Sequence, residues 1–216
     1  MITVTAFKWV PPLVRGLVRD LRVRWALEEA GLAYAQKLIG FEDQGTAWYR
    51  AQQPFGQVPV LEDDGLTLFE SGSIVLHIGQ KSPVLLPLSP EARARAVTWV
   101  FAALNTMEGA IWQLSELDLA FPNEDWAKAR RPMAEQFVAK RLAELSAALG
   151  DREYLDGAFT AGDLMMATVL RILRHTDLVQ REANLGAYLA RCEARPAFQR
   201  ALTAQLAAFE ENAAAG

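Results

Sequence analysis

The sequence predicts an α/β domain followed by an all-helical domain. Strand-like alternation of β-branched and other residues occurs only in the first part of the chain. The stretch from Lys81 to Pro90 contains three prolines and two serines, and beyond it apolar residues recur only at helical spacing. We therefore expect a first domain over 1–82, a linker over 83–90 and an all-helical domain over 91–216.

The first domain begins with a strand, a helix and a second strand. Residues Ile2–Phe7 and Tyr34–Ile39 have strand character. Between them, residues 17–30 carry apolar side chains on two sides, which predicts a helix packed on two faces that ends at Gly31. A strand–helix–strand unit favours a right-handed parallel crossover.

A hairpin and a helix complete the first domain. Val58–Glu62 and Leu66–Phe69 flank Asp64-Gly65, a strong hairpin signal, and Ser71–Gly79 follows as a helix. A short helix is expected around Thr46–Ala51. The order is therefore strand, helix, strand, loop, strand, strand, helix.

Helical patterns fill the second domain. Thr160 and Asp163 have capping-box spacing, and the helix that follows is apolar nearly all round, so we expect it at the centre of this domain. Pro132 marks either a kink or a later helix start. We expect the Ala-rich tail to be frayed. The other predicted helices are Glu91–Leu119, Glu124–Leu149, Ala183–Ala194 and Pro196–Glu211.

Two features of the hairpin region suit a peptide ligand with a carboxylate. The Val58-Pro59 bond can adopt the cis form at a cost of only about 0.5–1 kcal/mol, and a bend there would expose the main-chain groups of Val58. Ser71 lies at a predicted helix start, where free N–H groups and the helix dipole attract anions. The simpler interpretation of Ser71 is a helix N-cap, worth about 1 kcal/mol.

Gly56, Val58-Pro59 and Glu70-Ser71, in this order and spacing, resemble the glutathione-binding half of the cytosolic glutathione transferases. The resemblance implies a thioredoxin-like first domain, glutathione as co-substrate and a homodimer. It also implies that Ser71 receives the γ-glutamyl carboxylate of glutathione, Glu70 faces its ammonium group and Val58 pairs its main chain with the cysteinyl part. Gln53 and Gln57 are weaker candidates for polar contacts.

The group that would activate the glutathione thiol is missing from its usual place. The family uses Tyr, Ser or Cys near the first strand or helix, but none of these, nor Thr, occurs between Ala6 and Ala33. Aligned on Leu27–Gly31, the usual Ser or Cys position falls near Arg19. A cation about 4 Å from a thiolate, at an effective dielectric constant near 20, contributes roughly 4 kcal/mol before desolvation.

Arg15, Arg19 and Arg22 lie within roughly 60° on a helical wheel, so we expect them to share a face. The alternative is that Arg19 and Arg22 are solvated or pair with Glu28, Glu29 or a partner subunit.

The resemblance also suggests a pocket for an electrophile. Trp9, Pro11 and Pro12 would line its mouth, although Trp9 is equally suited to packing. Further along the chain, the residues at the family's pocket positions are Met107, Ile111, Trp112 and Leu114. An apolar stripe at that spacing is also typical of a helical core.

Composition restricts the other classes of function. The net charge of −4 gives no basic footprint for nucleic acid, and no run of about 18 apolar residues predicts a membrane span. The first residues lack a signal-peptide pattern, so we expect a cytoplasmic protein. Two distant histidines and one cysteine form no metal-ligand pattern, and we expect no metal.

Three functions follow from these patterns. The leading hypothesis is a glutathione transferase that directs the glutathione thiolate at small apolar electrophiles or peroxides. The second is a non-enzymatic binding or regulatory protein of the same fold. The third, thiol–disulfide exchange, requires a cysteine at the first helix, whereas the single cysteine is Cys192, late in the chain.

Overall fold

The computed structural model describes residues 1–212, and the chain divides into two compact units. The first unit contains residues 1–86 together with the C-terminal segment that begins at Arg195, and the second contains residues 87–194. The division after Leu86 falls within the expected linker, but the domain limits inferred from sequence stay a prediction. Residues 213–216, which include most of the expected frayed tail, lie outside the described residues.

A four-stranded sheet with the order β2-β1-β3-β4 forms the centre of the first unit. Strand β1 runs parallel to β2, with Ile2 opposite Tyr34, and antiparallel to β3, which pairs antiparallel with β4. This confirms the predicted α/β class. Strand β3 starts two residues later than expected, since Pro59 has no N–H to offer a ladder. The strands are β1 (Ile2–Phe7), β2 (Tyr34–Ile39), β3 (Val60–Asp63) and β4 (Leu66–Phe69).

Helix α1 spans Asp20–Ala30, so the predicted start at residue 17 is wrong. Gly16 has a left-handed backbone, φ 74°, and consecutive turns carry the chain from there to Asp20. The end of the helix agrees with the prediction, because Gly31 adopts φ 65° and its N–H caps the carbonyl of Leu27. The other helices of the first unit are α2 (Ala47–Arg50), α3 (Ser71–Gly79) and α10 (Pro196–Glu211).

A buried polar network joins α1 to α10. The carboxylate of Asp20, which has no exposed surface, accepts hydrogen bonds from Arg24 Nε and from Gln205 Nε2, each at 2.7 Å. Arg24 Nη2 donates in turn to Gln36 Oε1 at 2.9 Å. Burial raises the pKa of Asp20, and the Arg24 guanidinium acts against that rise. The network therefore keeps a buried carboxylate fully hydrogen-bonded.

Apolar and ionic contacts extend the same junction. The rings of Trp25 and Phe198 meet edge to face with their centroids 4.8 Å apart. Arg195 binds both carboxylate oxygens of Glu29, and Arg200 binds Glu28. Helix α10 is thus a structural part of the first unit, although it follows the whole second unit in sequence.

The second unit consists mainly of helices, as predicted. A π-helical segment, Ala102–Met107, interrupts the predicted helix over 91–119. Pro132 lies inside α6, so the helix does not start late at that residue. Along residues 1–212, no helix is both long and apolar enough to cross a membrane. The helices are α4 (Pro90–Phe101), α5 (Glu108–Leu119), α6 (Asp125–Leu149), α7 (Ala161–Leu170), α8 (Leu178–Arg181) and α9 (Ala183–Glu193).

Helix α7 is buried along its whole length and begins with the predicted capping box. The Thr160 hydroxyl accepts a hydrogen bond from Gly162 N at 3.1 Å, and Thr160 N donates to Asp163 Oδ2 at 2.9 Å. The expectation of a capped central helix is confirmed.

Replacing Asp20 by Ala will leave the buried Arg24 cation without its carboxylate. We expect a loss of about 3–5 kcal/mol in the free energy of unfolding, measured by urea denaturation. The control is Glu144→Ala, which removes a carboxylate from exposed ion pairs on α6 and is expected to cost at most about 1 kcal/mol. Equal losses in the two variants would contradict a stabilising role for the buried network.

Candidate functional site

Side chains from the preceding residues fix the loop before β3 by hydrogen bonds to its backbone carbonyl groups. Tyr49 donates from its hydroxyl to the carbonyl of Gln57, and Gln44 Nε2 donates to the carbonyl of Gly56, each at 2.6 Å. Burial raises the pKa of Tyr49 to about 12, so its hydroxyl stays protonated as a donor. Gln53 accepts from Phe55 N at 2.6 Å, which closes the turn. The loop therefore presents one defined backbone path to β3.

Gly56 allows the close approach within this loop. Its φ is 65°, and a Cβ added there would lie 2.6 Å from the carbonyl oxygen of Gln44 and 2.9 Å from the guanidinium carbon of Arg50. Neither the backbone angle nor the space suits a larger residue. The sequence motif that contains Gly56 thus has a direct steric basis.

The Val58-Pro59 peptide bond is cis, as the sequence suggested. The side chain of Val58 is buried with Ile39, Tyr49 and Val60. Within residues 1–212, its main-chain N–H and C=O have no hydrogen-bond partner. A backbone segment that is held by its side chain and unpaired along its main chain can accept an extended peptide.

Glu70 and Ser71 lie at the same end of the β3–β4 hairpin as Val58. Val60 pairs with Phe69, so the residues that flank this pair, Val58-Pro59 before it and Glu70-Ser71 after it, are neighbours. Ser71 is the first residue of α3, where N–H groups of the first helical turn have no carbonyl partner within the helix. An unpaired peptide edge and a helix N-terminus are therefore adjacent.

Glu70 has a strained backbone. Its φ of 68° is in the left-handed region, which residues with a Cβ rarely adopt, and its side chain is exposed. Strain of this kind costs about 1–3 kcal/mol and is concentrated at functional sites. The strain turns the chain sharply between β4 and α3.

Of the three arginines expected on one face, only Arg22 lies inside α1. Arg15 is in the preceding loop, where its Nε donates to the carbonyl of Val10 at 3.3 Å, and Arg19 is the half-buried residue before the helix. The shared helical face is therefore wrong for Arg15. Arg22 is only 3% exposed and its Nη1 donates to Ser71 Oγ at 3.2 Å, so the solvated alternative is wrong for Arg22. Apart from the helical spacing of the arginines, no pattern in the sequence indicated this contact.

The proposed electrophile-pocket residues are divided between the two units. In the first unit, Trp9 is half-buried and Pro12 is exposed at the start of a 3-10 turn. In the second, Met107 ends the π-helical segment and is nearly buried, Ile111 has no exposed surface, and Trp112 is half-exposed. Their assignment to a pocket stays a prediction.

The other potentially reactive side chains, His77, Lys81 and Cys192, lie in ion pairs or in the core. Lys81, which follows α3, and His77 within α3 both bind Asp63 at the end of β3, and their hydrogen bonds lower the pKa of Asp63. Cys192 is buried in α9. Over residues 1–212, no group of three or more His, Cys, Asp or Glu side chains is placed to hold a metal ion.

A four-stranded sheet of this order, with a cis-proline beside a helix N-terminus and a mainly helical second unit, defines the class of proteins that join a thioredoxin-like domain to a helical one. A family model described as "Glutathione S-transferase, N-terminal domain" matches residues 13–80. Glutathione S-transferase 4 of Zea mays is 32% identical over 203 residues, which cover 82% of this chain and 83% of the relative. The chain belongs to the glutathione S-transferase family, which confirms the predicted glutathione transferase.

Two further similarities bear on function. The crystal structure of the theta class glutathione S-transferase from Xanthomonas axonopodis pv. citri, with glutathione bound, has a TM-score of 0.77 and 30% identity and covers 93% of this chain and 96% of that one. The Stringent starvation protein A homolog of Coxiella burnetii is 30% identical over 125 residues, or 56% of each chain.

Substitutions at Glu70 will reveal its backbone strain. We expect Glu70→Gly to be more stable than Glu70→Ala by about 1 kcal/mol, because only glycine adopts a positive φ without a Cβ clash. At the control position Thr67, an exposed residue on β4, the order will reverse and the Ala variant will be the more stable. Chemical denaturation of the four variants measures both differences. An Ala variant at position 70 as stable as the Gly variant would show that the position is unstrained.

Proposed function

We propose that this chain binds glutathione at the end of the β3–β4 hairpin and directs its thiolate at small apolar electrophiles or peroxides. The observation that carries the proposal is the adjacency of the unpaired Val58 main chain and the N-terminus of α3. The first suits a peptide backbone and the second a carboxylate, and glutathione contains both. The glutathione bound in the crystal structure of the Xanthomonas relative supports the same ligand.

The roles proposed for the individual residues follow from their chemistry. Ser71 and the first N–H groups of α3 receive the γ-glutamyl carboxylate, and Glu70 faces the neighbouring ammonium group as its counter-ion. Val58 pairs its N–H and C=O with the cysteinyl residue. The carboxamide oxygen of Gln53 accepts a hydrogen bond from Phe55 N, and we assign its amide nitrogen as the donor to a ligand. Gln57 offers an exposed side chain.

Formation of the thiolate requires a group that lies close to the glutathione sulfur. Arg19 is the proposed stabilising group, because it directly precedes α1 and the resemblance to the family puts the usual Ser or Cys near this position. A positive charge and the N-terminal end of a helix both favour a thiolate over a thiol. Neither requires a proton-accepting side chain on the protein.

A non-enzymatic binding protein is the second candidate. One observation in its favour is that no Ser, Thr, Cys or Tyr occurs between Ala6 and Ala33. Another is that one relative, similar over 56% of its length, is named a Stringent starvation protein A homolog and not a transferase. Tight glutathione binding without turnover of electrophiles or peroxides would support this candidate over the first.

The proposal includes a cytoplasmic homodimer that uses no metal. Sedimentation equilibrium measures the oligomeric state, and activity retained in the presence of a strong chelator supports metal-independent chemistry.

Ser71→Ala will remove a hydroxyl proposed to bind a carboxylate. Hydrogen bonds to charged groups contribute about 1.5–3 kcal/mol, so we expect the dissociation constant for glutathione to rise roughly 10- to 100-fold by calorimetry. Ser73→Ala, two residues further along α3 and exposed, is the matched control and should bind as the unmodified protein does. Unchanged affinity in Ser71→Ala would remove the carboxylate assignment.

Arg19→Ala will remove the proposed thiolate-stabilising charge. We expect the pKa of bound glutathione, followed by the ultraviolet absorbance of its thiolate against pH, to rise by about 1 unit or more, which corresponds to about 1.4 kcal/mol. Lys37→Ala removes the same charge from an exposed site on β2 and should leave the titration midpoint unchanged. A midpoint that is the same in the Arg19 variant would exclude Arg19 as the activating group.

A further inference from the structure

The Arg22–Ser71 hydrogen bond fixes the direction of the Ser71 hydroxyl. Arg22 is on α1 and Ser71 begins α3, and their side chains are 3% and 4% exposed. A guanidinium group has donors and no acceptor, so the 3.2 Å contact from Nη1 uses the oxygen of Ser71 as the acceptor. The hydroxyl hydrogen is left for a different acceptor.

The direction of this hydrogen bond matters for an anion. A serine hydroxyl offers one O–H donor and two acceptor lone pairs, and a carboxylate ligand needs the donor. Within residues 1–212, the Ser71 hydroxyl donates no hydrogen bond. Arg22 therefore disfavours the orientation in which the Ser71 oxygen lone pairs face a ligand, and favours the orientation in which its O–H does.

Charge acts in the same direction. The Arg22 guanidinium is removed from water, so its field is screened less than that of a surface arginine. It adds a full positive charge beside the partial positive charge of the α3 N-terminus. Both positive charges are therefore close to Ser71 and favour a carboxylate there.

We propose that Arg22 is a positioning residue for the ligand carboxylate, and that it acts through Ser71. This inference rests on the proposed glutathione site and assigns Arg22 to carboxylate recognition, separate from the thiolate role proposed for Arg19. Loss of Arg22 therefore weakens the binding of a ligand that has the α-carboxylate and has little effect on the binding of a ligand that lacks it. It leaves the chemistry at the sulfur unchanged once glutathione is bound.

A purely structural role makes a different prediction. If Arg22 only holds α1 against α3, its loss disturbs the whole end of the hairpin and weakens every ligand there alike. The two roles are distinguished by a pair of ligands, glutathione and its analogue 4-aminobutyryl-cysteinyl-glycine, which lacks the α-carboxylate of the γ-glutamyl residue.

The test measures the affinity of both ligands for Arg22→Met by calorimetry. We expect about a tenfold or greater loss for glutathione and less than a twofold change for the analogue, with KM for glutathione raised and kcat at saturation retained. Arg200→Met, which removes the same charge from an exposed position on α10, is the control. If Arg22→Met does not fold, Arg22→Gln, which keeps a donor without the charge, gives the same comparison.

Equal loss for both ligands, or no loss for either, overturns the role of Arg22. If Ser71→Ala weakens glutathione and Arg22→Met does not, the proposed glutathione site stands and only this inference fails. If the unmodified protein does not bind glutathione, both fail together.

Discussion

The burial of α1 from Asp20 to Leu27 is the constraint on which the first unit depends. A helix enclosed by protein can keep charged residues only if each has a partner, because unpaired charges are very costly away from water. Its three buried charged residues consequently connect it to three different elements. The partners are Gln205 on α10 for Asp20, Gln36 on β2 for Arg24 and Ser71 on α3 for Arg22. The helix that stabilises the sheet therefore also determines the environment of the candidate site.

Local signals in the sequence were sufficient to predict most helices and strands. They were not sufficient to predict contacts between residues far apart in the sequence. Strands β1, β2 and β4, helix α3 and the α7 capping box follow from alternation, turn residues and cap spacing, all of which act within a few positions. The packing of α10 on α1 depends on pairs such as Asp20 with Gln205, which have no local signature. Apolar residues on two sides of α1 did indicate two packing faces, but not which part of the chain covers the second.

The candidate site likewise combines features that depend on neighbouring residues with features that depend on residues distant in the sequence. The helix start at Ser71 follows from neighbouring residues and could be predicted, whereas for the Val58-Pro59 bond the sequence indicated only that the cis form is accessible. The contact of Arg22 with Ser71 could not be predicted, because the two residues are 49 positions apart in the sequence and no local pattern pairs them. Most of the site is a matter of backbone geometry: an unpaired edge, a helix terminus and a strained residue at position 70. Side-chain chemistry enters through few groups, and in the proposed function the residues that bind glutathione are not the group that stabilises its thiolate.

The place of α10 in the sequence has a consequence for biosynthesis. Domains generally fold as their residues leave the ribosome, N-terminal residues first. Here residues 87–194 must be translated before the segment that covers α1 is made, so the face that meets Phe198 stays open throughout that interval. A nascent chain paused in the second unit exposes Trp25 to chaperones and proteases. A chain that ends before Pro196 retains every candidate site residue and still lacks one wall of the unit that holds them.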